Sequence, residues 1–383
     1  MEIKFANPRS SPIDSIHEEL GAEFFVWNQM LVPKKYSHDV TGEHLAVRTS
    51  SGLTDMSGIK KFWIKGADAC QVLDFLITRD CSQIKPGAAV YSALLNNNGY
   101  LIEDAIVFRL SPEESEHYDA SWLICFGDGF GADHLEKSLL GMDVMVRVDD
   151  ATACLMLQGP NAEVVLTEAI SSATVAQLGR FEHALFSVQG SDVMIARTSY
   201  SGEDGFEIFA GPTEAKNIWT QFVSLGARPV GFDALDIARI EAGLLFFGRD
   251  MTGAETPTEL GLDFIVDLSK RDFRGKPELL RKRQAPRFRT VGVALDGFDP
   301  LCGRASVWMG GVLVGHVSSY AVSEWLGKTV AIAQIKSELA VNGQKINVFD
   351  EGCFSAEGRA GVVCPRHFYR NFYNIEGGGR FNL

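Results

Sequence analysis

The order of apolar and polar positions repeats in two segments of the chain. Residues 62–73 and 155–166 each begin with an apolar run, pass a glycine and then an Asp or Asn two residues later, and end in Ala and a Val-Leu pair. An apolar run predicts a strand, the glycine permits a sharp turn, and the Asp or Asn can accept hydrogen bonds at a helix N-terminus. We predict strand, turn and helix twice, in two related α+β halves. The alternative is that a common turn recurs by chance.

A hairpin-like region follows each repeated segment. Residues 89–110 and 186–210 are apolar runs divided by polar turns at 96–99 and 201–205. Turn residues between apolar runs predict paired strands.

Two helices are predicted between the hairpins and the C-terminal region. Apolar residues three and four positions apart give one face over residues 214–224, with Thr213 as the N-cap. Asp233 begins a second helix over residues 234–242, which Gly243 ends.

The pattern changes after a charged, proline-containing stretch at residues 281–287. From Arg289 onward, short apolar runs alternate with turns, among them Gly310-Gly311 and Asn342-Gly343. Such dipeptides between apolar runs are hairpin signals. We therefore predict a small C-terminal β-barrel or sandwich.

Charge narrows the range of partners. The 383 residues include 36 Lys and Arg against 49 Asp and Glu, a formal charge of −13, which repels a phosphate backbone or an anionic membrane. The sequence contains no run of about 18 uncharged apolar residues, so no membrane-spanning helix is predicted. The first residues lack the apolar stretch of a signal peptide. We expect a cytoplasmic protein, with neither nucleic acid nor membrane as a partner.

Cysteine and histidine spacing gives no sign of a metal site. Seven cysteines are dispersed singly, without a CxxC pair, and eight histidines show no HxxxH or HExxH spacing. An odd, dispersed set is typical of reduced thiols. We expect no bound metal.

One motif suggests a different cofactor. Residues 127–132 read Gly-Asp-Gly-Phe-Gly-Ala between a predicted strand and helix, and Asp149 follows about 20 residues later. This satisfies the dinucleotide fingerprint of NAD enzymes. The unit stands alone, however, without the succession of parallel βαβ units that builds a nucleotide site. We disfavour this hypothesis.

Acidic residues interrupt two apolar strands. Glu103 and Asp104 precede an apolar run, and Glu207 lies between Phe206 and Ile208. An ionised carboxylate there offers paired acceptors to a ligand. The alternative, which periodicity alone favours, is that these side chains alternate outward on half-exposed strands.

Three further residues are candidates beside these acids. Tyr91 and Tyr200 provide flat amphipathic surfaces close to them in sequence. Arg239 follows Asp236 by three positions, which allows either a helix-surface ion pair or a fixed fork for a ligand carboxylate. The spacing does not separate these alternatives.

Many of these residues belong to longer motifs that follow one another along the chain. The motifs are Glu-His-Leu-Ala-Val-Arg-Thr at 43–49, Gly-Leu-Thr-Asp-Met-Ser at 52–57, Tyr-Ser-Ala-Leu-Leu-Asn at 91–96, Gln-Gly-Pro-Asn-Ala at 158–162, Tyr-Ser-Gly-Glu-Asp-Gly-Phe-Glu-Ile at 200–208, Ala-Leu-Asp through Gly at 234–243, Gly-Arg-Asp-Met at 248–251 and Pro-Thr-Glu-Leu-Gly-Leu at 257–262. Together they resemble the aminomethyltransferase (T-protein) family of the glycine cleavage system. The match covers nearly the whole chain in order, so it is more specific than any single motif.

The resemblance implies a three-domain cloverleaf around a central tetrahydrofolate site, in the α+β class with a C-terminal β-barrel. We place a first α+β, folate-binding domain at 1–50 with 145–230, a second α+β domain at 51–144 with 231–284, and the barrel at 285–383.

The resemblance also implies roles for particular residues. Glu207 matches the carboxylate that binds the amino and ring N–H edge of the pterin, and Tyr91 and Tyr200 match aromatic positions that line the folate. Arg239 matches the active-site arginine. The family's catalytic acid aligns with Glu103, which is expected to contact the folate as well.

Two motifs depart from the family. Its usual Asp-Asp is Glu103-Asp104 here, and its Ser-His-Met is Ser57-Gly58-Ile59. The extra methylene moves the carboxylate by one carbon–carbon bond, and a misplacement of about 1 Å can cost about 10²-fold in rate.

The function implied is a tetrahydrofolate-dependent one-carbon transferase of the aminomethyltransferase type. It would move a methylene or methyl group from an amine, thioether or ether donor to N5 of tetrahydrofolate. The donor is either a lipoyl carrier protein or, for a stand-alone demethylase, a small methylated metabolite. A folate-binding protein without turnover is the further alternative.

Overall fold

The computed structural model describes residues 8–36, 39–170, 172–350 and 358–369. The strands in these ranges are β1 (Arg9–Ser10), β2 (Glu23–Trp27), β3 (Met30–Lys35), β4 (Gly52–Asp55), β5 (Lys60–Lys65), β6 (Ala88–Leu95), β7 (Leu101–Arg109), β8 (Trp122–Phe126), β9 (Met145–Asp149), β10 (Ala153–Gln158), β11 (His183–Val188), β12 (Ser191–Ala196), β13 (Gly205–Ala210), β14 (Arg228–Pro229), β15 (Phe288–Leu295), β16 (Ala305–Met309), β17 (Val312–Ser323), β18 (Lys328–Lys336), β19 (Lys345–Asp350) and β20 (Arg359–Cys364). The α-helices are α1 (Asp14–Glu19), α2 (Val40–Thr49), α3 (Ala69–Leu76), α4 (Pro112–Tyr118), α5 (Gly131–Ser138), α6 (Ala162–Ile170), α7 (Pro212–Ser224), α8 (Phe232–Glu241) and α9 (Lys276–Arg283).

The chain divides into two compact units, which are described separately. Unit 1 contains Met1–Asp74, Asp80–Ser92 and Ala105–Leu235, and unit 2 contains Phe75–Arg79, Ala93–Asp104 and Asp236–Leu383. In the described part of the chain, no helix is long and apolar enough to cross a membrane.

Two sheets repeat one topology. The order of one is β6-β7-β8-β5-β9, and the order of the other is β11-β12-β13-β10-β4-β14. In these orders, β6, β7, β8, β5 and β9 occupy the same places as β11, β12, β13, β10 and β4. Helix α3 follows β5, and α6 follows β10. The two related α+β halves predicted from the repeated pattern are therefore confirmed.

Both predicted hairpins are present, since β6 is hydrogen-bonded to β7 and β12 pairs with β13, but the two hairpins are not topological counterparts. The turn at 96–99 joins β6 to β7, so its topological counterpart is the short turn between β11 and β12. The polar turn at 201–205 instead joins β12 to β13. The long polar turn therefore joins the first and second strands of one sheet, but the second and third strands of the other. The composition of a turn does not indicate which pair of strands it joins.

The repeated turns use glycine in the same way. Gly66 has φ +132° and Gly159 has φ +125°. A Cβ atom would lie 2.1 Å from the carbonyl oxygen of Asp143 at the first glycine, and 2.6 Å from that of Ser50 at the second. Each turn therefore requires both the positive φ and the absence of a side chain.

We expect Gly159→Ala to destabilise the protein by about 2–4 kcal/mol, because backbone strain and overlap with two carbonyl groups add together. Urea unfolding measures the change. Gly190→Ala is the matched control, since Gly190 has φ +86° but no neighbouring atom within 4 Å of the added Cβ. Only the strain remains there, with a cost of about 1 kcal/mol. Equal losses would contradict the close-approach argument.

The two sheets of unit 1 pack face to face. Helices α6 and α7 cover one face of the second sheet, where Leu157, Phe206 and Ile208 join the core. On the opposite face, the Phe209 ring contacts the Phe108 ring of the first sheet at 5.7 Å between centroids. The second sheet is therefore covered on both faces.

The predicted C-terminal barrel is confirmed. Strands β15 to β20 form a closed barrel in the order β15-β18-β17-β16-β19-β20. Its core contains Val293, Val307, Ile335 and Val348, all fully or almost fully buried. Closure leaves no free strand edge, which stabilises a small all-β unit.

The predicted helices are also present, with shifted starts. Helix α7 begins at Pro212 with Gly211 as its N-cap, two residues before the predicted Thr213 cap, because proline suits the first helical position. Helix α8 begins at Phe232. Gly243 follows it with φ +72°.

The predicted domain boundaries stay a prediction. Two strands, however, pair with strands that the prediction places in a different domain. Strand β9, which begins at the predicted boundary, pairs with β5 rather than with a strand of residues 153–210. Strand β4, which the prediction places in the second α+β domain, pairs with β10, which it places in the first.

The dinucleotide hypothesis does not fit the sheet around residues 127–132. Strand β8 is antiparallel to both of its neighbours, β5 and β7. A nucleotide crevice forms between parallel strands. The glycine-rich segment is the connection from β8 to α5, the counterpart of Gly211 before α7.

Candidate functional site

The side chain of Glu207 projects from β13 toward the face between the two sheets. Its strand partners are Met156 on β10 and Ala196 on β12. Phe206 and Ile208 point the other way, into the core beneath the helices. Glu207 is half-buried and does not alternate out to open solvent, because the second sheet is covered on both sides.

The Glu207 carboxylate has one hydrogen-bond partner among the described residues. The hydroxyl of Thr198 donates to Oε2. Burial raises the pKa of Glu207, and the Thr198 hydrogen bond opposes that rise. A buried carboxylate whose oxygens can accept further hydrogen bonds is suited to bind a ligand that carries hydrogen-bond donors.

A buried ion pair fixes the loop that precedes Glu207. Arg48 on α2 donates to the Ser201 carbonyl and to Glu203 Oε1, both at 2.9 Å. Both partners of this ion pair have fully or almost fully buried side chains. Breaking such a pair leaves an uncompensated buried charge, so the loop is held in one geometry.

The neighbouring part of the loop is held by Arg197. Its guanidinium binds Asp204 and lies 2.8 Å from Glu163 Oε2. Tyr200 is half-buried in this loop, and Tyr91 is half-buried on β6. Tyr200 therefore lies on a well-anchored loop of unit 1 that leads directly into β13, the strand that carries Glu207.

The two acids of β7 point to opposite faces of their strand. Side chains alternate, so Glu103 shares a face with Ala105 and Asp104 shares a face with Ile106. Glu103 is 0% exposed, whereas Asp104 is half-buried. Of the pair, only Asp104 presents surface that a ligand can reach without rearrangement.

Arg239 is the centre of a hydrogen-bond network in unit 2. Its Nε donates to Asp236 at 2.8 Å, Nη1 donates to Asp250 and the Leu244 carbonyl, and Nη2 donates to Ser319 at 2.8 Å. The residue is 1% exposed. The ion pair with Asp236 suggested by the helical spacing exists, but the guanidinium is buried rather than on a solvated helix face.

A second buried network was missed by sequence reasoning. His17 Nε2 lies 2.8 Å from Asp55 Oδ2, and His17 Nδ1 lies 2.9 Å from the Tyr36 hydroxyl. Hydrogen bonds from His17, Ser11 and Ser57 outweigh burial and lower the pKa of Asp55. Ser11 and His17 lie 44 and 38 positions from Asp55, and Tyr36 lies 19 positions from His17, so no local pattern signals this network, which fastens the N-terminal segment to β4.

Metal and disulfide chemistry find no support in the described residues. No group of three or more His, Cys, Asp or Glu side chains there could hold a metal ion. Six cysteines are described, and each is a free thiol.

The chain matches two sequence families in tandem. Residues 13–270 match the GCVT N-terminal domain, and residues 289–369 match the glycine cleavage T-protein C-terminal barrel domain. The chain belongs to the glycine cleavage T-protein family. The expectation of folate-dependent one-carbon transfer is confirmed at the level of this family.

Individual T-protein relatives cover almost the whole chain. An aminomethyltransferase of Thermotoga maritima is 31% identical over 375 residues, which are 94% of this chain and 98% of the relative. The gamma subunit of a heme-dependent oxidative N-demethylase from Ectopseudomonas mendocina is 35% identical over 353 residues, 89% of this chain and 92% of the relative. Both relatives are enzymes or parts of enzymes.

A solved T-protein structure has the same fold. The crystal structure of the glycine cleavage system aminomethyltransferase T from Bartonella henselae superposes with a TM-score of 0.84 at 28% identity. It covers 94% of this chain and 98% of its own. The fold class predicted from the sequence, including the C-terminal barrel, agrees with this match.

Proposed function

We propose that the protein binds tetrahydrofolate through Glu207 and transfers a one-carbon unit to it. The observation that carries this proposal is the Glu207 carboxylate, which is half-buried and accepts a single hydrogen bond from the residues that the structure describes. The pterin of folate has an amino group and a ring N–H side by side. A carboxylate with two oxygens is the matching acceptor for such paired donors.

The surroundings of Glu207 fit a flat heterocycle. Tyr200 lies on the anchored loop before it, and Tyr91 belongs to β6 of the same unit. Aromatic side chains provide amphipathic surface for a ring system. Bound tetrahydrofolate supplies a nucleophilic nitrogen, N5, that accepts the one-carbon unit. The contribution of the protein is positioning together with electrostatic stabilisation.

We place the catalytic carboxylate on β7 and distinguish its two members. The family alignment assigns the role to Glu103, whereas the exposure of the two side chains favours Asp104. An acid that stabilises developing charge must touch the reacting atoms. We therefore propose Asp104 as the contacting carboxylate, with Glu103 as the alternative.

We propose that Arg239 acts through its neighbours. It donates to the side chains of Asp236, Asp250 and Ser319, and its own side chain is almost fully buried. Such a guanidinium fixes the orientation of Asp236 and Asp250 rather than binding substrate directly. This makes Arg239 a positioning residue in unit 2.

Position 58 bears on the identity of the one-carbon donor. Gly58 replaces the family's histidine, and a Cβ there would lie 2.7 Å from the Trp27 ring. A side chain at this position would displace Trp27, so no imidazole acts from position 58. Together with the likeness to the N-demethylase gamma subunit, this favours a demethylation-derived carbon as a second donor class beside a lipoyl carrier.

Two measurements test the proposed function. Calorimetric titration with tetrahydrofolate should give saturable binding. Activity should then appear as ammonia release from an aminomethylated lipoyl carrier, or as one-carbon folate formed from methylated amines, thioethers and ethers. Binding without turnover on every donor would indicate a folate-binding protein instead. Absence of folate binding would refute the proposal.

We expect acidification to weaken folate binding, and we expect this loss to begin at a higher pH than it would if Glu207 had the pKa of an ordinary glutamate. The ionised carboxylate is the acceptor, and burial raises the pKa of Glu207, so protonation removes the acceptor earlier. Thr198→Val removes the hydrogen bond that opposes the rise and should move the loss to still higher pH. Calorimetry at several values between about pH 5 and 8 measures this shift. A shift toward lower pH would contradict it.

A further inference from the structure

A second polar side chain lies on the Glu207 face of the second sheet. Gln158 on β10 pairs with Gly205 on β13, two positions before Glu207. Side chains alternate along a strand, so Gln158 and Met156 share the face of Glu207, opposite the core that the helices cover. Glu207 is therefore the diagonal cross-strand neighbour of Gln158.

The side-chain amide of Gln158 is only half satisfied. Its oxygen accepts a hydrogen bond from the hydroxyl of Ser199 at 3.2 Å. Its nitrogen, Nε2, is buried and has no hydrogen-bond partner among the described residues, and Gln158 as a whole is 0% exposed. Burying a donor without a partner is unfavourable, and most such groups in folded proteins are paired. The amide nitrogen is therefore a candidate contact for a ligand that carries an acceptor.

The strand neighbours of Gln158 explain why no side chain beside it accepts from the amide. In the sheet register it lies between Gly205 on β13 and Gly52 on β4, so neither adjacent strand offers an acceptor there. A Cβ atom at position 205 would lie 2.9 Å from the Cβ of Gln158. Glycine inside a strand often marks a place where a ligand or another backbone approaches closely.

Glu207 and Gln158 together present hydrogen-bonding groups in a defined order. The carboxylate contributes two acceptors, and the amide nitrogen contributes a donor. Diagonal neighbours on a sheet are about 7–8 Å apart, so two long side chains can converge on one small ring. The matching ligand edge has the order donor, donor, acceptor. An amino group, a ring N–H and the adjacent ring carbonyl of a 4-oxo pterin have this order.

We propose that Gln158 Nε2 donates to the 4-oxo group of the pterin, while Glu207 accepts from the amino group and the ring N–H. This inference rests on the proposed folate site and assigns to it the selection of 4-oxo pteridines. A ligand without that acceptor leaves the buried amide unpaired, and such sites discriminate strongly against it. Gln158 is thus a specificity residue, and Ser199, which binds the amide oxygen, is a positioning residue.

Calorimetric titration of the full chain with two ligands tests this assignment. One ligand is tetrahydrofolate, and the other is its 4-thioxo analogue, in which sulfur, a weak acceptor, replaces the oxygen and both donors remain. The wild-type protein should bind tetrahydrofolate about tenfold more tightly than the analogue. Gln158→Met keeps the length of the side chain but removes the donor. It should weaken tetrahydrofolate binding by about tenfold and abolish the preference.

Further variants separate a ligand contact from a structural role. Gln158→Glu replaces the donor by another acceptor, so it should weaken tetrahydrofolate binding by about 100-fold, more than Gln158→Met does. Ser199→Ala releases the amide but keeps its donor, and should cost about threefold with the preference retained. Thr290→Val is the control, because the Thr290 hydroxyl is also buried and unpartnered but belongs to β15 of the barrel. It should leave affinity within about twofold.

Three outcomes would overturn the role of Gln158. Unchanged tetrahydrofolate affinity in Gln158→Met would show that solvent satisfies the amide. Equal losses for both ligands in that variant would indicate a structural role. The third outcome, equal affinity of the wild-type protein for the two ligands, needs no variant. Tetrahydrofolate binding that depends on Glu207 but not on Gln158 would refute only this role, whereas absence of wild-type binding would refute the folate site as well.

Discussion

Glu207→Gln should weaken tetrahydrofolate binding by about 100-fold. Hydrogen bonds to a charged group contribute about 1.5–3 kcal/mol each, and the amide replaces one acceptor oxygen by a donor that faces the donors of the pterin. The amide oxygen can still accept from Thr198, so the local structure of β13 should persist. Calorimetric titration gives the dissociation constant directly.

The control for this variant lies on the neighbouring strand. Asp192→Asn also neutralises a carboxylate of the second sheet, at an exposed position on β12. It should leave folate affinity within about twofold, because an exposed charge at a distance is screened by solvent. Unchanged affinity in Glu207→Gln, or equal losses in both variants, would remove Glu207 from the folate proposal.

The second large effect is expected at β7. Asp104→Asn should lower kcat by about 10²-fold or more while folate affinity changes little, because a contacting carboxylate acts mainly on the transition state. Steady-state kinetics with the productive donor and a parallel folate titration separate the two quantities.

Glu103→Gln is the matched variant one residue away. Glu103 is fully buried, so its isosteric amide should leave kcat within about threefold if Asp104 is the contacting acid. The opposite pattern, with loss at 103 and full activity at 104, would return the role to Glu103. Full activity in both variants would show that neither carboxylate takes part.

The barrel and the two repeated halves could be predicted from the sequence, because the patterns that indicate them involve residues close together in the chain. The dipeptides at Gly310 and Asn342 mark turns that the structure contains, the first between β16 and β17 and the second between β18 and β19. The glycines at 66 and 159 mark the repeated strand-turn-helix units. Each of these signals depends on residues that are neighbours in the chain.

The orientation of the acids was not accessible, because it depends on packing between distant segments. Alternation favoured an outward Glu207, but the first sheet covers that face of the second sheet, as the contact of Phe209 with Phe108 shows. The partners of Arg239 were equally remote. Spacing suggested Asp236, whereas Asp250 and Ser319 lie 11 and 80 positions away.

The register of the two sheets shows how the duplicated halves have diverged. Glu207 pairs with Met156, three residues before Gly159, and the residue three before Gly66 is Trp63, which pairs with Leu123. Leu123 is therefore the counterpart of Glu207, and it is completely buried. One copy keeps an aliphatic side chain that stabilises the fold, while the other carries a carboxylate that burial disfavours. Duplication of a stable scaffold allows a polar group to evolve at one position in one copy, while the equivalent position of the other copy maintains the packing of the core.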